Sequence, residues 1–226
     1  MHFLKRVATV LAAVLVASCG GGEAYTGLWE GTLDGRPASA IVLSDGTYYL
    51  NYGAGLVVGT GDFHGAKFTS TDGVDYHFAY PFKPTTPASI DGKVTGNNGL
   101  NGRLNTAPLQ LNYVKEFDPD GKLADLAGSY PGTVTFSLGT RQTTFTVDAE
   151  GNLSTVLNGC TITGKATPRR DDAYDLVARF GGYPCVFPGV GFTGVAVYSH
   201  ELQQLEASMV NPGFGQALTF VARKAP

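Results

Sequence analysis

Gly27-Leu28-Trp29-Glu30-Gly31-Thr32 recurs as Gly128-Ser129-Tyr130-Pro131-Gly132-Thr133, at a constant offset of 101 residues. Both stretches open on glycine, carry an aromatic side chain two residues on, and return to glycine two residues after that. Later landmarks follow at similar spacing. Asp45-Gly46 answers Glu150-Gly151, Gly59 answers Gly159, and the apolar run at 109–115 answers the one at 218–224. An opening, a middle and an end that match in order predict two domains built from one template. Each is about a hundred residues, near the commonest domain size. Trp29 and Tyr130 sit at equivalent points of the repeat and are expected to anchor the two cores.

Inside each half, short runs of alternating apolar residues are punctuated by Gly, Asp and Asn every 8–12 residues or so, the spacing of a sandwich or small barrel. Strands are expected at 31–33, 39–43, 48–51, 56–61, 133–138, 142–147, 174–180, 194–198 and 218–222. One hairpin can be registered from the sequence. With Thr71-Asp72-Gly73 as its loop, Phe68 faces Tyr76 and Ala66 faces Phe78, so that the apolar faces coincide. Residues 199–206 allow a short helix capped by Ser199, but a strand returning through Asn211-Pro212-Gly213 is the better reading. The expected fold class is therefore all-β: two tandem, Gly-rich antiparallel barrel or sandwich domains, at 26–115 and 126–226. Between them, 116–125 carries charge and a Pro119-Asp120-Gly121 turn signal, and reads as a linker.

Composition agrees. The chain has 226 residues, 31 Gly and 12 Pro, and only 15% of its residues are charged, against a norm of about 25%.

Ahead of the repeat, Lys5 and Arg6 precede an apolar run from Val7 to Val16 that closes on Ala17-Ser18-Cys19-Gly20. A basic head, a short apolar middle and a small-residue cleavage site make a secretory signal at 1–18. The run is about ten residues, half of what a membrane-spanning helix needs. Val16-Ala17-Ser18-Cys19 resembles the lipobox of bacterial lipoproteins. The resemblance implies diacylglycerol, and with it palmitate, on the Cys19 thiol, with cleavage just before it. The glycines after Cys19 make 19–25 a flexible tether. Gly20 rather than Asp after the cysteine implies export to the outer membrane. Each half also resembles, in layout, the small eight-stranded barrels of Gram-negative surface lipoproteins of the transferrin-binding and factor-H-binding types.

Removing the leader takes Lys5 and Arg6 with it, leaving 14 Lys and Arg against 19 Asp and Glu, a net charge near −5. No basic patch survives, which argues against a nucleic-acid partner. Once Cys19 is assigned to lipid, Cys160 and Cys185 remain, and in an oxidising envelope they read as a disulfide.

Catalytic signatures are sparse. The mature chain has three histidines, His64, His77 and His200. Asp62 with His64 and Asp75 with His77 suggest a metal site, but the hairpin register above puts the two histidines on opposite faces. No cofactor or metal is expected. Ser199 and His200 are neighbours on one strand and point apart. No nucleophile elbow or phosphate loop sits in a strand–turn–helix context. Asp171-Asp172 after Arg169-Arg170 reads as a self-compensating surface loop. The aromatics Tyr48, Tyr49, Tyr52, Tyr80 and Phe82 are more suggestive: exposed, they would make a surface for protein or glycan. The expectation is a non-catalytic lipoprotein anchored in the outer membrane, binding a protein or small ligand through its barrels. An envelope hydrolase, or a structural accessory of the outer membrane, is the alternative.

Overall fold

A computed structural model describes residues 25–79, 83–95, 99–114, 122–169, 171 and 173–226. The first barrel consists of β1 (Gly27–Leu33), β2 (Arg36–Val42), β3 (Thr47–Asn51), β4 (Gly55–Thr60), β5 (Asp62–His64), β6 (Lys67–His77), β7 (Thr86–Thr95), β8 (Gly99–Leu104) and β9 (Ala107–Val114). Neighbours in sequence pair antiparallel except β4 and β5, β1 pairs with β9, and β4 with β6, so eight strands close into a ring. The short β5 continues the line of β4 beyond a break at Gly61. After a one-turn helix, α1 (Leu123–Leu126), the second barrel runs β10 (Gly128–Phe136), β11 (Gly139–Val147), β12 (Asn152–Leu157), β13 (Cys160–Pro168), β14 (Ala173–Phe180), β15 (Gly191–Ser199), β16 (Gln204–Asn211) and β17 (Gln216–Arg223). It closes through β10 and β17. The chain is thus two tandem, closed, eight-stranded antiparallel barrels, and closure removes the free sheet edges that an open sheet would expose.

The repeated hexapeptide opens each barrel and seals it. Trp29 and Tyr130 point inward and are 1% and 0% exposed. Each reaches back four residues to a main-chain carbonyl: Trp29 Nε1 donates to Tyr25 O at 3.0 Å, and Tyr130 Oη to Leu126 O at 2.7 Å. The segment leading into each barrel is thereby pinned beneath its end. Gly31 and Gly132 lie where first and last strands press together. A Cβ there would stand 2.0 Å from Gln110 O and 2.3 Å from the Ala222 Cβ, so only glycine permits the seam. The turn pair also corresponds. Gly46 and Gly151 each close the second hairpin of their barrel, and each accepts a main-chain bond from the far end of the fourth strand's line, Gly61 N and Ala166 N. Gly59 and Gly159 do not correspond: Gly59 is inside β4, whereas Gly159 is in the β12–β13 turn.

The expected hairpin is corrected. Thr71-Asp72-Gly73 is not a loop. β6 runs straight through it, and the turn is at Gly65, whose φ is +62°. The residues at 71–73 form a bulge, where the register against β7 shifts between Ser70 and Gly73. Asp72 accepts bonds from the Thr60 amide and hydroxyl, which holds the extra residue in place. A bulge advances the alternation by one. Phe68 and Ser70 therefore point into the barrel, while Val74, Tyr76 and Phe78 point out, towards the second barrel.

The two barrels stand side by side. Leu28, Ile41 and Leu43 pack on Ala173, Val195 and Val197 towards one end, and Leu56 and Tyr76 on Val210 and Ala217 towards the other. This explains why β15 and β16 are buried on both faces over most of their length. One face lines a lumen and the other meets the neighbouring barrel. Residues 199–206 contain no helix: Ser199 ends β15, 200–203 turn, and β16 returns through the turn at Pro212–Phe214.

Candidate functional site

Antiparallel order fixes which loops share an end. Gly27 pairs with Val42, so Tyr25 and the β2–β3 turn lie together at one end of the first barrel. That turn meets the β13–β14 turn: Ser44 donates its amide and hydroxyl to Asp171 Oδ2, both at 2.9 Å. Arg169 bridges Asp45 at 3.1 Å, Asp171 at 3.0 Å and Asp175 at 2.8 Å. Burial pushes the Asp171 carboxyl up, but the bonds from Arg169 and Ser44 outweigh it and hold the group below the ordinary carboxylate range. Arg169 and Asp171, expected in a self-compensating surface loop, instead form an interdomain lock, while Arg170 and Asp172 lie outside the described residues. The lower end of the molecule therefore holds Tyr25 and this lock. The upper end holds the β10–β11, β12–β13, β14–β15 and β16–β17 turns.

Three of the large apolar side chains left exposed gather on two of those upper turns: Tyr183 at 97%, Phe214 at 64% and Val186 at 49%. The β14–β15 loop is the longest of them. Cys160 and Cys185 form the expected disulfide, which ties this loop to the start of β13. Phe187 then drops from the loop between Phe136, Phe180 and Phe192 as a plug. Tyr183, Pro184 and Val186 are left facing outward on a loop fixed at its middle and both ends.

At the mouth of the first barrel, also at the upper end, Tyr52 Oη donates to both carboxylate oxygens of Asp75, at 2.9 and 3.1 Å. His77 Nδ1 stands 3.8 Å from Asp75 Oδ2, and its Nε2 is 3.1 Å from Thr86 Oγ1. Because of the bulge, Asp75 and His77 share the inward face. Burial raises the Asp75 carboxyl above the ordinary range, partly offset by the Tyr52 bond; its burial raises the Tyr52 hydroxyl as well. The line Thr86–His77–Asp75 places a hydroxyl, an imidazole and a carboxylate in series. At 3.8 Å, however, the carboxylate does not hold the imidazole by a hydrogen bond; the Tyr52 hydroxyl is its bonded partner. His64 is far down the same barrel, on exposed β5. Among the described residues, no three His, Cys, Asp or Glu side chains converge on a metal-sized space.

The expected aromatic surface does not form as a unit. Tyr48 is 1% exposed and bonds Ser70 inside the barrel at 3.0 Å. Tyr49 is packed between the barrels, and Tyr52 serves Asp75. Tyr80 and Phe82 lie outside the described residues, as does Cys19. Sequence reasoning missed Tyr183 and Phe214. The Cys160–Cys185 pairing was the signal for the first, because a disulfide across a Gly-Gly-Tyr-Pro loop fixes that loop in place. The chain matches no known family model, no curated protein and no solved structure.

Proposed function

We propose that this protein is a lipoprotein of the bacterial outer membrane, moored through lipid on Cys19, which acts by binding a protein or small ligand rather than by catalysis. The observation that carries the reading is the polarity of the molecule. The chain joins its first barrel at the lower end, and the exposed Tyr183, Val186 and Phe214 stand at the upper end. A tether at residues 19–25 would hang the barrels from the membrane with these side chains facing away from it. Rigid, exposed aromatic and aliphatic groups on a fixed loop suit recognition of a protein partner, because little freedom is lost on binding.

Mass spectrometry of the native product is expected to show an acylated Cys19, and Cys19→Ser is expected to move the protein from the outer membrane to the soluble fraction. A bare thiol at Cys19 in membrane-borne protein overturns the anchor. Capture of an envelope or host protein that is lost on Tyr183→Ala and Phe214→Ala tests the binding end.

The Thr86–His77–Asp75 line favours a second reading, an envelope hydrolase. Turnover of an ester or envelope polymer that disappears in both Thr86→Ala and His77→Ala, and survives Tyr183→Ala, would install it in place of the first.

A further inference from the structure

The two barrels are filled differently. The first lumen is plugged by Trp29 and Tyr48 and keeps a void of about 20 Å³. The second is lined by Ala178, Ala196 and Ala207, with Ala166 nearer its lower end, and keeps about 50 Å³. Of the residues lining that lumen, all are apolar except Thr143 and Thr155. Directly above it, a second pocket of about 100 Å³ opens beneath Pro184 and Val186 of the disulfide-tied loop. Phe136, Leu157 and Phe180 wall both spaces, so one lies over the other.

Arg141 stands at the rim of this upper pocket. On β11 it pairs with Val134 and has the same parity as Thr143, Phe145 and Val147, the residues that line the lumen. A cation thus carries the uppermost inward-facing side chain of the strand, with only Gly139 beyond it at the same parity. Its side chain donates to its own strand, to Thr140 O at 2.8 Å, and no ion pair joins it to an acid among the described residues. The wall next to it is the least paired in the barrel. β11 and β12 share two register pairs, Thr146 with Ser154 and Val147 with Leu153, where β10 and β11 share nine. Above those two pairs the seam is held by side chains: Thr143 Oγ1 and Thr155 Oγ1 lie 2.7 Å apart, and Thr155 donates to Thr144 O.

We propose that the second barrel binds a small anionic amphiphile, its aliphatic chain running from the pocket beneath Pro184 towards the alanine-lined lumen and its carboxylate meeting Arg141. An apolar cavity of about 150 Å³ holds a six-carbon ring. The upper pocket of about 100 Å³ and the lumen of about 50 Å³ are separate spaces. A chain of about six carbons occupies both once the Phe136, Leu157 and Phe180 side chains between them move apart. Such a chain enters without separating the main-chain ladder, because the seam beside Arg141 is closed by two threonine hydroxyls. The site does not involve the membrane anchor, and it shares Val186 with the exposed tip but neither Tyr183 nor Phe214.

The test uses the mature chain carrying Cys19→Ser, exported behind a cleavable leader so that no lipid competes. Hexanoate, hexanol and hexylammonium are titrated by calorimetry, and the binding place is read from methyl resonances. Hexanoate is expected to saturate at or below about 1 mM, shifting the methyls of Leu157, Ala178 and Ala207, with hexylammonium about tenfold weaker or worse. Arg141→Gln, a change at an exposed side chain that leaves the core intact, is expected to weaken hexanoate about tenfold and to leave hexanol unchanged. No saturation by hexanoate at about 10 mM, shifts confined to the first barrel or the interface, or an Arg141→Gln protein that binds hexanoate as well as its parent would each overturn the proposal. None of these outcomes bears on the anchor at Cys19, which mass spectrometry decides separately.

Discussion

Single side chains decide how each barrel is started. Tyr130 buries its ring and spends its hydroxyl on Leu126 O, so Tyr130→Phe keeps the packing and orphans a buried carbonyl. A loss of about 1–2 kcal/mol is expected, read from denaturant unfolding; an unchanged midpoint would mean that water takes the place of the hydroxyl. Glu206 has the opposite character. It lies on the outward face of β16, 8% exposed, against the first barrel, with Gln204 Nε2 donating to it at 2.9 Å. Burial raises its carboxyl above the ordinary range, and the nearby charge of Glu30 raises it further. A folded-state value above the unfolded one means that the native state holds the proton longer. Stability is then fullest in acid and declines as pH climbs through the folded value. Glu206→Gln is expected to raise the melting temperature at pH 7–8 by about 2–4 °C and to make no difference near pH 4. Trp29 and Tyr130 were legible in the sequence because the repeat aligned them. Glu206 was not, because nothing in an alternating strand tells which outward face another domain will cover.

At the level of elements, the disulfide and the bulge carry most of the individuality. The Cys160–Cys185 bond closes a loop with a sequence separation of 25. Its removal as Cys160→Ser with Cys185→Ser is expected to cost about 3 kcal/mol and to free the Phe187 plug, seen as raised amide exchange across 181–190 with the rest of the sheet unchanged. Gly73 sits in the β6 bulge, where an added Cβ would stand 2.7 Å from Tyr48 Oη and 2.8 Å from Ala88 O. Gly73→Ala is therefore expected to destabilise the first barrel by about 1–3 kcal/mol. That same glycine misled the hairpin register. Asp-Gly after a polar residue marks both a tight turn and a bulge, and the deciding contact, Asp72 to the Thr60 amide, is invisible in a linear reading. Strands such as β3 and β14 were legible because their inward residues are large, and β2 because Ile41 and the following Leu43 are buried against the second barrel. β7 and β13 were not, because Ala88, Gly92, Gly164 and Ala166 turn small side chains inward and leave no apolar alternation to count.

For the whole molecule, the interface between barrels contains two titrations of opposite sign. Asp171, drawn down by Arg169 and Ser44 against the upward pull of burial, contributes stability above its unfolded value that is lost as pH falls through the folded one. Arg169 remains charged throughout, its affinity for the proton raised by the acids around it, which outweigh the opposing effect of burial. Glu206, a few strands away on the same interface, contributes in acid and opposes at neutral pH. The contact between barrels is thus expected to be tightest in mildly acidic solution and weaker on either side. Two substitutions separate the limbs. Asp171→Asn removes the acid limb and costs about 1–2 kcal/mol at neutral pH, whereas Glu206→Gln flattens the neutral limb and leaves the acid one in place. Scattering or amide exchange at the Ser44 and Val197 faces, followed from pH 3 to 8, reads both. Should the parent and the two variants loosen at the same pH, the barrels are joined by their apolar contacts alone, and Arg169 fixes only the direction in which they stand.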